Sequence, residues 1–345
     1  MSELYQRDSL PDSQRFRANR RCSTLAYSLS ILMPLTVCYS GDLTPACKSA
    51  NREASGLLAQ ERLEDATALL SETLGRLGDS LEDRLCAGAT LATLADARLR
   101  KGELMAAQKA ALASVSRLEE MAGTDSAALR GPLGVLANIA MTQGRFKEAS
   151  QLISRAEKLP RGSHRDWATV AGLRALLMMH EGRYSAAEEA FRAALAEREL
   201  AGQQDSPDAA PELWNLGELY LQHGRTDEAV SLFERCLRIS EAFPPVPVMQ
   251  AGSVLGLAMS YAKLNDREMA NKSFDRAMHL IDSLPPSTHS SLGMAAYYQY
   301  SRFLHRTGQN QRAKAIDKEG ERLYGKNWSG MTVGIDSLLT KPRKQ

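Results

Sequence analysis

The stretch Leu213-Trp214-Asn215-Leu216-Gly217-Glu218-Leu219-Tyr220, followed by Gly224, Ala229, Phe233 and Leu237, decides the fold. Leu213, Leu216, Gly217 and Tyr220 stand at i, i+3, i+4 and i+7, the spacing that gathers side chains on one stripe of a helix. Ala229, Phe233, Cys236 and Leu237 make a second stripe, on a helix begun after Gly224-Arg225-Thr226-Asp227. Gly224 between them supplies the positive φ of a tight turn, and Gly217 lets the two helices approach closely. The segment reads as a helical hairpin that cannot bury both stripes by itself.

The same arrangement recurs in both directions. Downstream stand Val254, Leu257-Ala258, Tyr261, Asn265, Ala270, Phe274 and Ala277, then a weaker unit with Tyr297, Tyr300, Leu304, Gly308 and Ala313. Upstream are Gly182-Arg183-Tyr184 with Ala187 and Phe191, Leu136-Ala137 with Gly144 and Phe146, and Leu94-Ala95 with Gly102 and Leu104. A weak first unit holds Ala54, Leu57, Glu61, Leu63, Ala66 and Leu70. The turn residues Glu61, Gly102, Gly144, Gly182, Gly224, Asn265 and Gly308 are separated by 41, 42, 38, 42, 41 and 43 residues. Asn is the commonest replacement for Gly at positive φ, so Asn265 fits its place. Pro- or Gly-punctuated segments (Leu159 to Ser163, Asp205 to Asp208, Phe243 to Pro247, Leu284 to Ser287) fall between one hairpin and the next.

These large-small-large positions, the turn Gly and the Ala and Phe of the second helix resemble the tetratricopeptide repeat family. The interval exceeds the roughly 34 residues of the commonest form and resembles a variant of about 42 residues known from kinesin light chains and many bacterial proteins. The resemblance covers residues 47–325 as seven repeats and implies an all-α, right-handed α-solenoid of seven stacked hairpins, a bacterial source and a protein-binding role. The last unit reads as terminal, because its second helix carries Asp317, Glu319, Gly320 and Glu321. Residues 326–345, with Trp328, Met331, Val333, Ile335, Leu338 and Leu339, read either as a cap folded over that unit or as a frayed end.

The 345 residues carry 43 Lys+Arg against 41 Asp+Glu, a net charge of +2, so no basic excess points to nucleic acid. The composition, 43% hydrophobic, has enough apolar surface to fold. Five cysteines, at 22, 38, 47, 86 and 236, read as too few and too scattered for a disulfide framework, and Cys236 as a small buried hydrophobe.

Residues 1–21 are a basic amino-terminal region with Arg15, Arg17, Arg20 and Arg21, and residues 22–46 read as a signal peptide or membrane anchor. Cys22 to Tyr39 holds no charge, and small residues follow it. Export or anchoring on the periplasmic side, with membrane contact only through residues 22–40, is the favoured reading. A lipoprotein, through Leu35-Thr36-Val37-Cys38, and a disordered cytoplasmic extension stay open.

No catalytic layout survives inspection. Gly320 to Asn327 has phosphate-loop spacing without the closing Ser/Thr and follows a helix. His180-Glu181 lacks a second His one turn on, no CxxC occurs, and the six histidines are dispersed. The expectation is a non-enzyme with no cofactor and no metal, binding a protein or peptide.

The resemblance implies that the first helix of each repeat lines a concave groove. Carried over, the groove positions are Asn51, Asp96, Arg100, Asn138, Met141, His180, Trp214, Glu218, Gln222, Met259, Lys263, Tyr298, Arg302, His305 and Arg306. Trp214, Met259 and Tyr298 read as exposed apolar anchors among hydrogen-bonding groups, against the plainer reading of solvated polar positions. Lys263, Arg302, His305 and Arg306 suggest a grip on an acidic or carboxyl-terminated segment at repeats six and seven. The scaffold reading has one competitor, a peptide-gated regulator in which ligand alters solenoid curvature.

Overall fold

Apolar stripes at helical spacing, closed by a turn at a fixed place, produce pairs of helices. The computed structural model describes residues 43–325 except 61, 161, 163, 243–246 and 285–289. Fourteen α-helices follow one another through these residues: α1 (Pro45–Ala59), α2 (Leu63–Arg76), α3 (Leu81–Arg100), α4 (Leu104–Ala122), α5 (Arg130–Thr142), α6 (Phe146–Lys158), α7 (His164–His180), α8 (Tyr184–Leu200), α9 (Ala210–Gln222), α10 (Thr226–Ala242), α11 (Pro247–Leu264), α12 (Arg267–Asp282), α13 (Ser290–Arg306) and α14 (Asn310–Tyr324). Short 3-10 turns at Ala127–Leu129 and Pro207–Ala209 lead into α5 and α9. The chain is an all-α solenoid of seven hairpins, α1/α2 to α13/α14. The amino-terminal region, the anchor or signal reading and the carboxyl-terminal cap fall on residues 1–42 and 326–345, outside those described.

The turns are built as their sequence requires. Gly102, Gly144, Gly182, Gly224 and Gly308 have φ between 73° and 83°, and Asn265 has φ 63°. The next residue's N–H reaches back to a carbonyl five positions earlier, as Arg145 does to Ala140 at 2.8 Å and Asp266 to Tyr261 at 3.0 Å. Carbonyls left over at the helix end are satisfied this way, and the chain is aimed straight into the second helix.

Stacking divides the helices into two layers. Each first helix touches the first helix of the next hairpin, from α1 against α3 to α11 against α13, while each second helix packs between its own first helix and the following one. The one-sided stripe expected of both helices therefore holds only for the outer layer: α10 buries Thr226, Ala229, Phe233, Cys236, Ile239 and Ser240. In the inner layer α9 is buried at every position from Ala210 to Leu221, because neighbours press on it from several sides.

Phe233 shows how tightly the layers mesh. A Cβ added at Gly217 of α9 would lie 3.0 Å from its ring, and one added at Gly256 of α11 only 2.6 Å away. The ring is thus clamped between backbones of two successive first helices, and Gly256 matters as much as the Gly217 that the hairpin pattern singles out. In α14, the last helix described, only Ala313 and Gly320 are buried.

The cysteine reading is corrected. Cys47 of α1 and Cys86 of α3 form a disulfide across 39 residues, with Cα atoms 5.9 Å apart. They stand one repeat apart on adjacent first helices, so stacking alone brings them together. The bond sits in a small cluster with Leu43 and Ala89. A second small cluster holds Ala54, Leu58, Ala66, Leu70, Leu94 and Ala97, while the continuous core starts at Ala95 and runs to Ala313. The first hairpin is joined to the array by modest apolar contact and a covalent staple.

Gly256→Ala is expected to cost about 1–3 kcal/mol by overpacking against Phe233, read as a lower urea midpoint. Gly75→Ala in α2, where an added Cβ meets nothing, serves as the control and should raise it slightly. A midpoint for Gly256→Ala at or above that of the parent would refute the clamp. Cys47→Ser should remove up to ~4 kcal/mol of chain-entropy stabilisation, with amide exchange speeding up first in α1 and α2; uniform exchange changes across the chain would count against a local staple.

Candidate functional site

All fifteen groove candidates lie on first helices. The structure sorts them by what their polar atoms do.

Several are occupied structurally. The Asn51 amide donates to the Thr90 hydroxyl at 3.0 Å and the Cys47 carbonyl at 3.1 Å, while Thr93 donates to its carbonyl oxygen at 2.9 Å. That closed network joins α1 to α3 beside the disulfide. Arg100 bonds Asp96 at 3.1 Å and the Leu58 carbonyl at 3.3 Å, and the Lys263 ammonium donates to the Leu221 carbonyl. Both cations thereby cap the carboxyl end of the preceding first helix, where carbonyls lack partners and the helix dipole is negative. His180 stacks on Phe146 with ring centroids 3.7 Å apart. His305 pairs with Asp317 of its own hairpin at 3.0 Å, and Arg302 lies 5.4 Å over the Tyr298 ring.

Two expectations change here. Trp214 is 3% exposed and Tyr298 9%, and Met259 is equally buried, so none is an exposed anchor. Helix-level reasoning assigns them an open face; Trp214 instead has its ring 6.1 Å from that of Phe233 on α10, the second helix of its own hairpin. The basic cluster is also dispersed: Lys263 is engaged at Leu221 and His305 at Asp317. Arg302 and Arg306 remain one turn apart on α13, Arg306 exposed.

What persists is a row of polar atoms that are buried and without hydrogen-bond partners among the described residues: Asp96 Oδ1, Arg100 Nη2, Trp214 Nε1 and Glu218 Oε2. Glu218 is the clearest. It is 2% exposed, its other oxygen accepts from Gln222 at 3.2 Å, and burial pushes its carboxyl up to about 8. Asp96 is pushed up to about 6 by burial, against the opposing charge and hydrogen bond of Arg100. Asn138 and Met141 are buried on α5.

Sequence reasoning missed the ionic posts between hairpins. Arg198 of α8 and Glu212 of α9 pair at 2.9 Å with both side chains buried, and Arg198 also reaches Thr169. Arg165 pairs with Asp208, which accepts from Gln203 at 2.7 Å. Arg130 is buried whole, donating to the carbonyls of Ala156, Leu159 and Pro160 with its guanidinium 4.7 Å over Trp167. The available signal was a charged residue recurring near each junction, which periodicity alone treats as surface. Cys236 is fully buried, its thiol donating to the Ala210 carbonyl at 3.3 Å, and burial raises its pKa. Among the described residues no group of three or more His, Cys, Asp or Glu is placed to hold a metal ion.

Comparison with known proteins agrees with the architecture. The sequence profile described as "Tetratricopeptide repeat" matches residues 167–242. No curated protein matches the chain. Among solved structures, BtubC (BKLC) from P. vanneervenii is similar with TM-score 0.50 at 23% identity, over 65% of this chain and 94% of that one. A Rap protein complexed with Competence and Sporulation Factor gives TM-score 0.56 at 14% identity, over 82% of this chain and 75% of that one. NprR in complex with its cognate peptide NprX gives 0.54 at 13% identity, over 86% and 83%.

A carboxyl whose folded pKa lies above its unfolded value favours folding in its protonated state, so that contribution is lost as pH rises between the two. For Glu218 the window runs from the ordinary glutamate value of 4.5 to about 8. Wild type and Glu218→Gln should therefore have similar unfolding free energies near pH 5. By pH 8 the Gln variant should be ahead by an amount on the order of a few kcal/mol. Parallel pH profiles for the two proteins would contradict an uncompensated carboxyl at this position.

Proposed function

We propose that this tetratricopeptide-repeat protein is a non-catalytic interaction scaffold whose inner row of first helices receives a peptide segment or partner helix. The observation that carries this reading is the set of unpaired buried polar atoms on that row, at Asp96, Arg100, Trp214 and Glu218. A buried polar atom without a partner costs about 1–3 kcal/mol, and these mix donors with acceptors, as a peptide backbone does. A solenoid repeats the same chemistry at each hairpin and suits an extended occupant. Rap and NprR, similar in fold, are each seen in complex with a named factor or peptide.

The carboxyl end of the row carries Arg302 and Arg306 one turn apart on α13, and we assign to it the acidic or carboxyl-terminated end of the ligand. Export, with tethering or cleavage at residues 22–46, is part of the same reading. Its support is the Cys47–Cys86 disulfide, since such bonds persist in oxidising compartments. Among the described residues no helix is long and apolar enough to cross a membrane.

Fluorescent decapeptides ending in a free carboxylate should bind more tightly than their amidated twins. Reversing Arg302 and Arg306 to Glu should abolish that difference; equal affinity of both peptide forms for the parent protein would discard the carboxylate grip. For location, cells lysed into an alkylating reagent should yield protein whose Cys47 and Cys86 react only after reduction. Immediate alkylation of both would place the protein in a reducing compartment.

A further inference from the structure

We propose that Glu218 is the counter-ion for a cationic side chain, lysine or arginine, of the peptide bound along the inner row, seated on α9 at the fifth hairpin. The proposal rests on the groove reading above and adds the charge and register of the ligand.

Three observations converge on Glu218. Its Oε2 has no hydrogen-bond partner and its side chain is buried, so the site has an acceptor that the described residues leave unused. Trp214, Glu218 and Gln222 stand at i, i+4 and i+8 and share one face of α9. The Gln222 amide holds Oε1 at 3.2 Å, leaving Oε2 for another donor.

No described cation answers this carboxyl. Asp96 has Arg100 at 3.1 Å and Glu212 has Arg198 at 2.9 Å. From α11, Lys263 places its ammonium on the Leu221 carbonyl; from α7, His180 stacks on Phe146. On α8, Glu188 and Arg192 meet the Tyr220 hydroxyl. Tyr220 is two positions beyond Glu218 and so points to the opposite side of α9. Of α10's charged side chains, Glu228 bonds Arg225 and Arg235 bonds Asp205. Burial alone, tempered by Gln222, sets the carboxyl's protonation, at about 8. A ligand ammonium or guanidinium reverses the balance: the carboxyl loses its proton to solvent, and the carboxylate pairs with the cation.

The register follows from the repeat. Glu218 lies six residues before Gly224, and Arg302 six before Gly308, so they are equivalent positions two hairpins apart. Stacked helices are spaced by about 8–10 Å, and an extended chain advances about 3.3 Å per residue. A carboxylate at Arg302 and Arg306 therefore puts the cation roughly five or six residues upstream of the ligand's end.

The test uses the full-length protein and carboxyl-terminated Ala/Ser decapeptides in which one lysine is moved from the third to the ninth residue from the end, read by fluorescence polarisation. Affinity should peak with lysine five to seven residues from the end, about tenfold above the lysine-free peptide at pH 8. The lysine advantage should be nearly absent at pH 6, where the carboxyl is protonated, and should grow to that tenfold by pH 8. Glu218→Gln, checked for an unchanged circular dichroism spectrum, should show no lysine-dependent peak above its own affinity for the lysine-free peptide, and no pH dependence of that comparison. Should that variant fail to fold, the position scan and pH dependence on the parent protein decide by themselves. Binding without any lysine-dependent peak, or a peak that survives in Glu218→Gln, overturns the inference and leaves the groove reading standing. Failure of every decapeptide to bind overturns both.

Discussion

A helix with neighbours on its own hairpin and on the hairpins before and after has almost no side left for water. That crowding of the first helices governs the rest of the molecule. It requires glycine at Gly217 and Gly256, where Phe233 is pressed between two backbones. It also makes the inner layer the place where any polar group must find a partner or remain costly.

The chain meets that demand in two ways. At the junctions between hairpins it uses charge: Arg198 against Glu212, Arg165 against Asp208, and Arg130 spread over three carbonyls at the end of α6, where its own hairpin hands over to the next. At the carboxyl ends of first helices, Arg100 and Lys263 satisfy carbonyls of the hairpin before. Pairs buried this deeply add little net stability compared with apolar packing, but losing one partner is expensive, so they fix which surfaces meet. Along the middle of the row the demand goes unmet at Glu218 and Trp214.

The first hairpin is held differently. Its apolar clusters are small and separate from the continuous core, and the Cys47–Cys86 bond with the Asn51, Thr90 and Thr93 network takes up the load. Among the described residues this hairpin has a neighbouring hairpin on one side, and the covalent staple adds to that interface.

The hairpin count, the turn at each of Gly102, Gly144, Gly182, Gly224, Asn265 and Gly308, and the buried roles of Phe233 and Cys236 are all legible in the sequence. Each is a local matter: helical periodicity acts over one or two turns, and positive φ is a property of a single residue. The same reasoning assigns the groove candidates to first helices correctly, because helix position follows from register with the turns. It fails on what those residues do. The burial of Trp214 and Tyr298, the placement of Lys263 on the Leu221 carbonyl, the partnership of Arg198 with Glu212 and the meeting of Cys47 with Cys86 depend on how far and at what angle one hairpin is set upon the next. That step is chosen by many side chains packing at once, across a repeat's length of sequence, and only the folded stack determines it.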